Sequence, residues 1–352
     1  MSAVHGDTTG PPCRVVAGVV EPGRTVEARG GRVVPMVDTP VRLGIIGLGA
    51  MGGRVLDVAA AHADLVVVRA CDLDRATLDR VSAAHPDVAV SRDPADVLGA
   101  SDVDAVYLAT PPAFHAGMTV AALAAGKAVF CEKPLSVSAE DGRRMRDAAA
   151  AGGLVTAVNF ALSDRDVVLE VERALAAGEV GDVLGVDVRL QFPKWPREFQ
   201  ADALWLDGRE QGGFVREVFS HFAYLTDRLV GPLRAVDVSA DFPARGSEVA
   251  ARGLLRAGDV PVHFSGVAGV AGPEHYEWVL WGTRRSYRLL EWANLEVFED
   301  GAWTPVPSRG RGSDASRLGL FAEAVRGGPT SPNLAGFDVA HRVQEAVEAF
   351  HA

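Results

Sequence analysis

Gly47-Leu48-Gly49-Ala50-Met51-Gly52 is a G-x-G-x-x-G run, and Asp72 stands twenty positions after its last glycine. Each position has a physical use in holding a dinucleotide. Gly47 permits a tight turn, Gly49 lets a pyrophosphate approach the backbone, and Gly52 lets helix and strand pack closely. The N–H groups of Ala50 and Met51 would open a helix whose positive end faces the phosphates. Asp72 would accept hydrogen bonds from the adenosine ribose, and its charge would repel a 2′-phosphate. The expected cofactor is therefore NAD, with NADP disfavoured, although Arg75 lies near enough to soften that preference. Further along, Lys133 sits between Glu132 and Pro134 where a strand is expected to end, and there it could exchange a proton with a substrate oxygen. Glu217 and His221 are four apart on an expected helix, so they share a face. An imidazole over the substrate, oriented by the carboxylate, would complete an acid–base pair. Taken alone, such a Glu/His pair is more often a surface ion pair.

These residues need a frame. Val41–Gly47 is a short apolar run ending in glycine, the pattern of a buried strand. Strand and helix then alternate: helix Ala50–His62, strand Asp64–Cys71, helix Asp74–His85, strand Val88–Val90, strand Val103–Ala109, helix Phe114–Ala125, strand Ala128–Cys131, helix Ser138–Ala151 and strand Leu154–Val158. That alternation predicts a parallel, doubly wound Rossmann sheet over 41–160. After a helix at Asp164–Ala177 the period changes. In Asp182–Phe192, Leu184, Val186, Val188, Leu190 and Phe192 fall on one face, while Gly185, Asp187, Arg189 and Gln191 fall on the other. One packed and one open face suits an antiparallel sheet. Strand-like runs at Arg234–Phe242, Val249–Arg256, Val262–Gly269, Tyr276–Trp281, Ser286–Trp292 and Leu295–Glu299 extend it, and helices near Ser316–Arg326 and Gly336–Phe350 follow. The fold class is α/β, with residues 161–352 expected to bind substrate and form oligomers.

Composition narrows the partners. A chain of 352 residues that is 48% hydrophobic and 23% charged is ordinary for a folded protein of about two domains. A net charge of -11 makes nucleic acid and anionic membrane poor default partners. Three separated cysteines, Cys13, Cys71 and Cys131, offer neither a disulfide framework nor a zinc site, which fits the cytoplasm. No ligand cluster argues for a metal. Residues 1–40, rich in Gly, Pro, Thr and Arg, are expected to be a flexible extension.

Ala109-Thr110-Pro111-Pro112, then His115, then AGKAVFCEKPLS and QGGFVREVFSH follow the glycine turn in that order. Together they resemble the Gfo/Idh/MocA oxidoreductases, the family of glucose–fructose oxidoreductase and inositol dehydrogenase. The resemblance implies a Rossmann domain plus an open-faced, mostly antiparallel sheet, and a homodimer or homotetramer. It places Thr110, Pro111, His115 and Glu132 on the cofactor side, with His115 packing beside the cofactor or ordering its loop, and Glu132 also able to steady Lys133 or cap local structure. It makes Lys133 and His221 catalytic, with Glu217 where relatives carry Asp in a GGG-x3-D-x3-H pattern. Asn159, Trp195 and Arg197, with Lys133 and His221, become candidates for the substrate pocket. Where relatives continue after Asn159-Phe160 with Arg or Tyr, this chain has Ala161-Leu162, so a basic substrate contact is expected to be missing. The implied activity is hydride transfer between NAD and a secondary alcohol or ketone of a sugar or cyclitol. Imine reduction and dihydrodiol oxidation are alternatives on the same fold, and a non-catalytic NAD(H)-binding sensor is one from another class.

Overall fold

In the computed structural model, residues 39–200, 203–310 and 312–352 are described. Nearly all of the expected N-terminal extension lies outside them. The first domain runs β1 (Val41–Ile46), α1 (Ala50–Ala60), β2 (Leu65–Cys71), α2 (Arg75–Ala84), β3 (Ala89–Ser91), α3 (Ala95–Leu98), β4 (Ala105–Leu108), α4 (His115–Ala124), β5 (Ala128–Cys131), α5 (Ala139–Gly152) and β6 (Thr156–Val158). Its six strands are parallel in the order β3-β2-β1-β4-β5-β6. β4 and β5 are buried at every position, as strands covered on both faces must be. Local chemistry sets the helix ends: the Asp74 carboxylate accepts from the N–H groups of Ala76 and Thr77, and Ser138 accepts from Asp141. The four-residue α3 is too short to show a period and escapes the sequence pattern.

The chain continues through α6 (Asp166–Ala176) and β7 (Val183–Phe192), then a π-helical turn at Val215–Phe219 that runs into α7 (Ser220–Leu229). Then come β8 (Leu233–Asp241), β9 (Ala250–Ala257), β10 (Val260–Ala268), β11 (His275–Gly282), β12 (Ser286–Leu290), β13 (Asn294–Glu299), β14 (Ala302–Pro305), α8 (Asp314–Val325) and α9 (Phe337–Glu348). The eight strands form one sheet, β14-β13-β12-β11-β7-β10-β9-β8, antiparallel except where β7 meets β10. On β7, Val186, Val188, Leu190 and Phe192 are buried, whereas Arg189 faces outward. Leu184, expected on the packed face, is 59% exposed. The register slips opposite it, between Trp281 and Gly282, and that bulge turns the side chain out. The strand expected over Ser286–Trp292 stops at Leu290. Glu291 (φ 49°) and Trp292 (φ 69°) take left-handed conformations and fold the chain back.

One packing relation crosses the sequence halves. α8 places Leu318, Phe321 and Ala322 in the same core as Val55, Leu56 and Phe130 of the first domain. The Phe130 and Phe321 rings lie 5.1 Å apart. Among the described residues no helix is long and apolar enough to cross a membrane.

Candidate active site

The glycine turn carries β1 into α1. Gly47 has φ +89°, and a Cβ there would lie 2.6 Å from the Ala109 carbonyl oxygen. A Cβ on Gly52 would fall 1.8 Å from the oxygen of Gly47, so these two glycines are required by the chain's own backbone. Gly49 differs: a Cβ there would meet nothing within 4 Å. It caps a helix whose first residues, Ala50 and Met51, are exposed, and the first N–H groups of a helix have no partner within it. Open backbone beside a helix N-terminus is what a dinucleotide pyrophosphate requires, so these residues fit that group. Asp72 directly follows β2, with its oxygens held by the N–H groups of Leu48 (2.7 Å) and Asp74 (2.8 Å). A carboxylate oxygen has a second lone pair, leaving acceptor capacity for ribose hydroxyls. Arg75 is bonded to Asp79 at 3.0 Å.

Lys133 follows β5, and the π-helical turn brings Glu217 to it. The Lys133 Nζ donates to the Glu217 carbonyl at 3.0 Å and to its carboxylate through Oε2. Glu217 Oε1 also accepts from Gln200 at 3.0 Å and lies 3.6 Å from the Arg197 guanidinium. The expected pairing of Glu217 with His221 is therefore corrected: the carboxylate steadies the lysine. Its position in a π-helical turn, where the i→i+5 pitch replaces the α-helical one, departs from the spacing behind that expectation.

His221, in the first turn of α7, accepts the Ala161 N–H on Nδ1 at 3.3 Å. A ring nitrogen that accepts carries no proton, so the proton of the neutral ring is on Nε2. Burial, then the charge of Lys133, then those of Arg317, Arg197 and Arg165 hold this imidazole well below its usual range. Phe160 meets the ring edge-on at 5.8 Å and Trp292 at 5.2 Å. Lys133 and His221 thus come from different domains, near enough for the lysine charge to act on the ring, each held by its own partner, Glu217 and Ala161.

Several candidates occupy other roles. Asn159 is buried. Its amide donates to Tyr107 (2.8 Å) and to Glu132 (2.9 Å), and its oxygen accepts from Arg317 (2.8 Å). Tyr107 donates to Glu132 at 2.5 Å. Burial pushes the Glu132 carboxyl up, against the opposing pull of Tyr107, Lys133 and Asn159. Asn159 and Glu132 belong to a buried network behind Lys133. Arg317 is locked to Asp164 (2.7 Å) and Asp314 (2.5 Å) as well. His115 is fully buried, with Nε2 2.9 Å from the Thr110 carbonyl and Nδ1 3.1 Å from that of Pro134. It joins the two loops that flank the cleft and orders them from behind. Thr110 and Pro111 stay half-exposed on that loop, whose Ala113 N–H donates to Gln211 at 3.2 Å. On the other side, Trp195 packs on Phe192 and Phe214, and Arg197 bonds Gln200 (2.9 Å) and Tyr276 (3.1 Å). Sequence reasoning missed Tyr107, Gln200, Trp292 and Arg317. For Arg317 a signal was present: Asp314 three residues earlier marks an ion pair on the face that carries Leu318 and Phe321.

Residues 41–160 match the model of an oxidoreductase family with an NAD-binding Rossmann fold, and 168–288 match the GFO/IDH/MocA C-terminal domain. The chain belongs to the Gfo/Idh/MocA oxidoreductase family. It is 30% identical over 298 residues to a 1-carboxy-3-chloro-3,4-dihydroxycyclo hexa-1,5-diene dehydrogenase of Comamonas testosteroni, covering 80% of this chain and 74% of that one. It is 37% identical over 147 residues to inositol 2-dehydrogenase 1 of Saccharopolyspora erythraea, covering 40% of this chain. That match spans 43% of the inositol dehydrogenase, under half its length. Among solved structures, the WlbA dehydrogenase of Bordetella pertussis with NADH and UDP-GlcNAcA superposes with TM-score 0.75 at 22% identity, over 88% of this chain and 95% of that one. At that identity the likeness shows a shared fold.

Proposed function

We propose that this protein is an NAD-dependent dehydrogenase that interconverts a secondary alcohol and its ketone on a polyhydroxylated ring. The observation that carries the reading is that the charge of Lys133, just beyond β5, acts on the buried His221 ring, which is bonded to Ala161 just beyond β6, at the sheet end where open α/β folds bind ligands. Bound NAD+ supplies the hydride acceptor. His221, neutral and protonated on Nε2, donates a hydrogen bond to the reacting oxygen and polarises it as the carbonyl forms. Lys133 passes one ammonium proton to the Glu217 carboxylate it contacts, and the amine so formed takes the hydroxyl proton. Asp72, fixed by the Leu48 N–H, supports NAD over NADP; an enzyme that preferred NADP by about tenfold or more would refute that role. The first test is Lys133→Met, which should bind NADH normally while turnover collapses; near-normal turnover would remove Lys133 from the mechanism.

A second reading within this one is oxidation of a ring dihydrodiol, favoured by the Comamonas relative that aligns along most of the chain and is named for such a compound. A sensor without chemistry would bind NADH tightly and turn over no polyol or diol. The buried free thiols of Cys71 and Cys131 suit a cytoplasmic setting. The open sheet face supports a homodimer or homotetramer: Trp281, 39% exposed, and Trp303 meet there at 6.2 Å, with Arg288 stacked 4.6 Å over Trp303. Light scattering giving a monomer at micromolar concentration would exclude that assembly.

A further inference from the structure

The cations around His221 are not equally partnered. Four cations act on its ring: Lys133, Arg317, Arg197 and Arg165. Arg317 is neutralised by Asp164 and Asp314, and Lys133 by Glu217. Arg197 shares that same Glu217 at 3.6 Å, lies 3.9 Å from Glu274, and bonds the neutral groups of Gln200 and Tyr276.

Arg165 has less. Its Nε donates to the Ala161 carbonyl at 3.2 Å, and its two terminal nitrogens make no hydrogen bond or ion pair among the described residues. Its sequence neighbours are engaged elsewhere, Asp164 by Arg317 and Ser316, Asp166 by Ser308 and the Arg309 N–H. Burial, then the like charge of Arg317, hold it below its ordinary range, against the pull of Asp164, Asp166 and Asp314. A half-buried guanidinium beside another cation is unfavourable unless an anion joins them.

Geometry says where that anion would lie. The Ala161 peptide gives its N–H to His221 and its carbonyl to Arg165, so one peptide links the imidazole and the Arg165 fork. Arg197 approaches from the Glu217 side, its guanidinium 5.5 Å from the Trp195 ring centre and 4.8 Å from that of Phe199. The basic contact expected to be absent at Ala161-Leu162 is thus returned by Arg165, the residue that caps the N-terminus of α6. Guanidinium forks match the planar, two-oxygen shape of a carboxylate.

We propose that Arg165 and Arg197 recognise a carboxylate on the substrate, so that the ring alcohol oxidised here is an anion rather than a neutral polyol. The proposal rests on the dehydrogenase reading for the reaction, but not for the binding.

The test uses the full chain and a matched pair: the cis-dihydrodiol of benzene and its carboxylated counterpart, the cis-dihydrodiol of benzoate. NAD+ reduction and calorimetric binding to the NADH-loaded protein are measured for both. The carboxylated member is expected to be favoured by about tenfold or more in kcat/KM, carried mainly by KM, with that preference weakening at high salt. Arg165→Gln and Arg197→Gln should each cut the preference by about tenfold, and Arg165→Lys should restore part of it, which a merely structural role would not do. Thermal melting checks that the variants fold, and Arg165→Lys stands in should Arg165→Gln fail. Equal preference for the two compounds, or a preference that survives Arg165→Gln, overturns the inference while leaving the dehydrogenase reading intact. Tight binding of the acid, lost in Arg165→Gln but without NAD+ reduction, supports the inference and counts against the reaction. Binding of neither compound overturns it.

Discussion

The glycine turn and the Lys133–Glu217 contact both place chemistry in the cleft, by opposite means. The turn is local: six consecutive residues, with Gly47 and Gly52 forced by their own neighbouring backbone and Gly49 left facing open space. The lysine site joins residues 84 positions apart and depends on a π-helical turn and on a buried network that reaches Arg317. A site of the first kind is written in spacing. One of the second kind exists only after the two domains have packed, and substitutions should separate the two.

The largest expected effect is Lys133→Met, with kcat falling by about a hundredfold to ten-thousandfold and NADH binding, followed by fluorescence, little changed. Turnover within a few fold of wild type would end the distinction between a binding turn and a reacting centre. Next comes a pair within the turn. Gly52→Ala should cost several kcal/mol, about 3 or more, because the added methyl collides with the Gly47 carbonyl. Gly49→Ala should melt like wild type yet bind NADH about tenfold more weakly or worse, since its methyl would occupy the space open to pyrophosphate. Equal melting temperatures for the two variants would show that the turn is not partitioned in this way.

Smaller is the effect of Glu217→Gln, about tenfold to a hundredfold on kcat, read beside the nitrogen NMR signals of His221. The tautomer should stay protonated on Nε2, because Ala161 and not Glu217 sets it. A tautomer change would restore the Glu217–His221 pairing. The smallest effect is on stability against pH. The unfolded imidazole takes a proton near 6.5, whereas buried His221 does so only well below that. The unfolded state then binds the extra proton, so His221's contribution is complete above about 6.5 and declines as the pH falls further. His221→Asn should flatten that part of the curve in denaturant titrations; an unchanged slope would mean the ring is not held neutral.

How much was legible follows the same division. The order of the first domain, from Val41 to Val158, could be read because each strand and helix announces its own period. The turn could be read because its glycine roles are set within six residues. The partners of Asn159 and Glu132 could not be read, since Tyr107 and Arg317, which bond to Asn159, lie 52 and 158 residues from it. Spacing carries no trace of such meetings. Arg165 was overlooked because Asp164 and Asp166 flank it and suggest a self-neutralised surface run. The fold assigns both carboxylates to other partners. β14 went unseen for a simpler reason, being four residues long behind the turn at Asp300-Gly301.

The seating of α8 against Val55, Leu56 and Phe130 has a consequence for biosynthesis. The nucleotide-holding half borrows its last wall from residues the ribosome delivers after about nine-tenths of the chain, a delay set by sequence order alone. Until Phe321 arrives, the nascent sheet leaves Phe130 without that cover, a sticky patch for chaperones to shield. Fragments ending near residue 160 should accordingly aggregate, and supplying the remainder in trans should rescue them only where α8 is included.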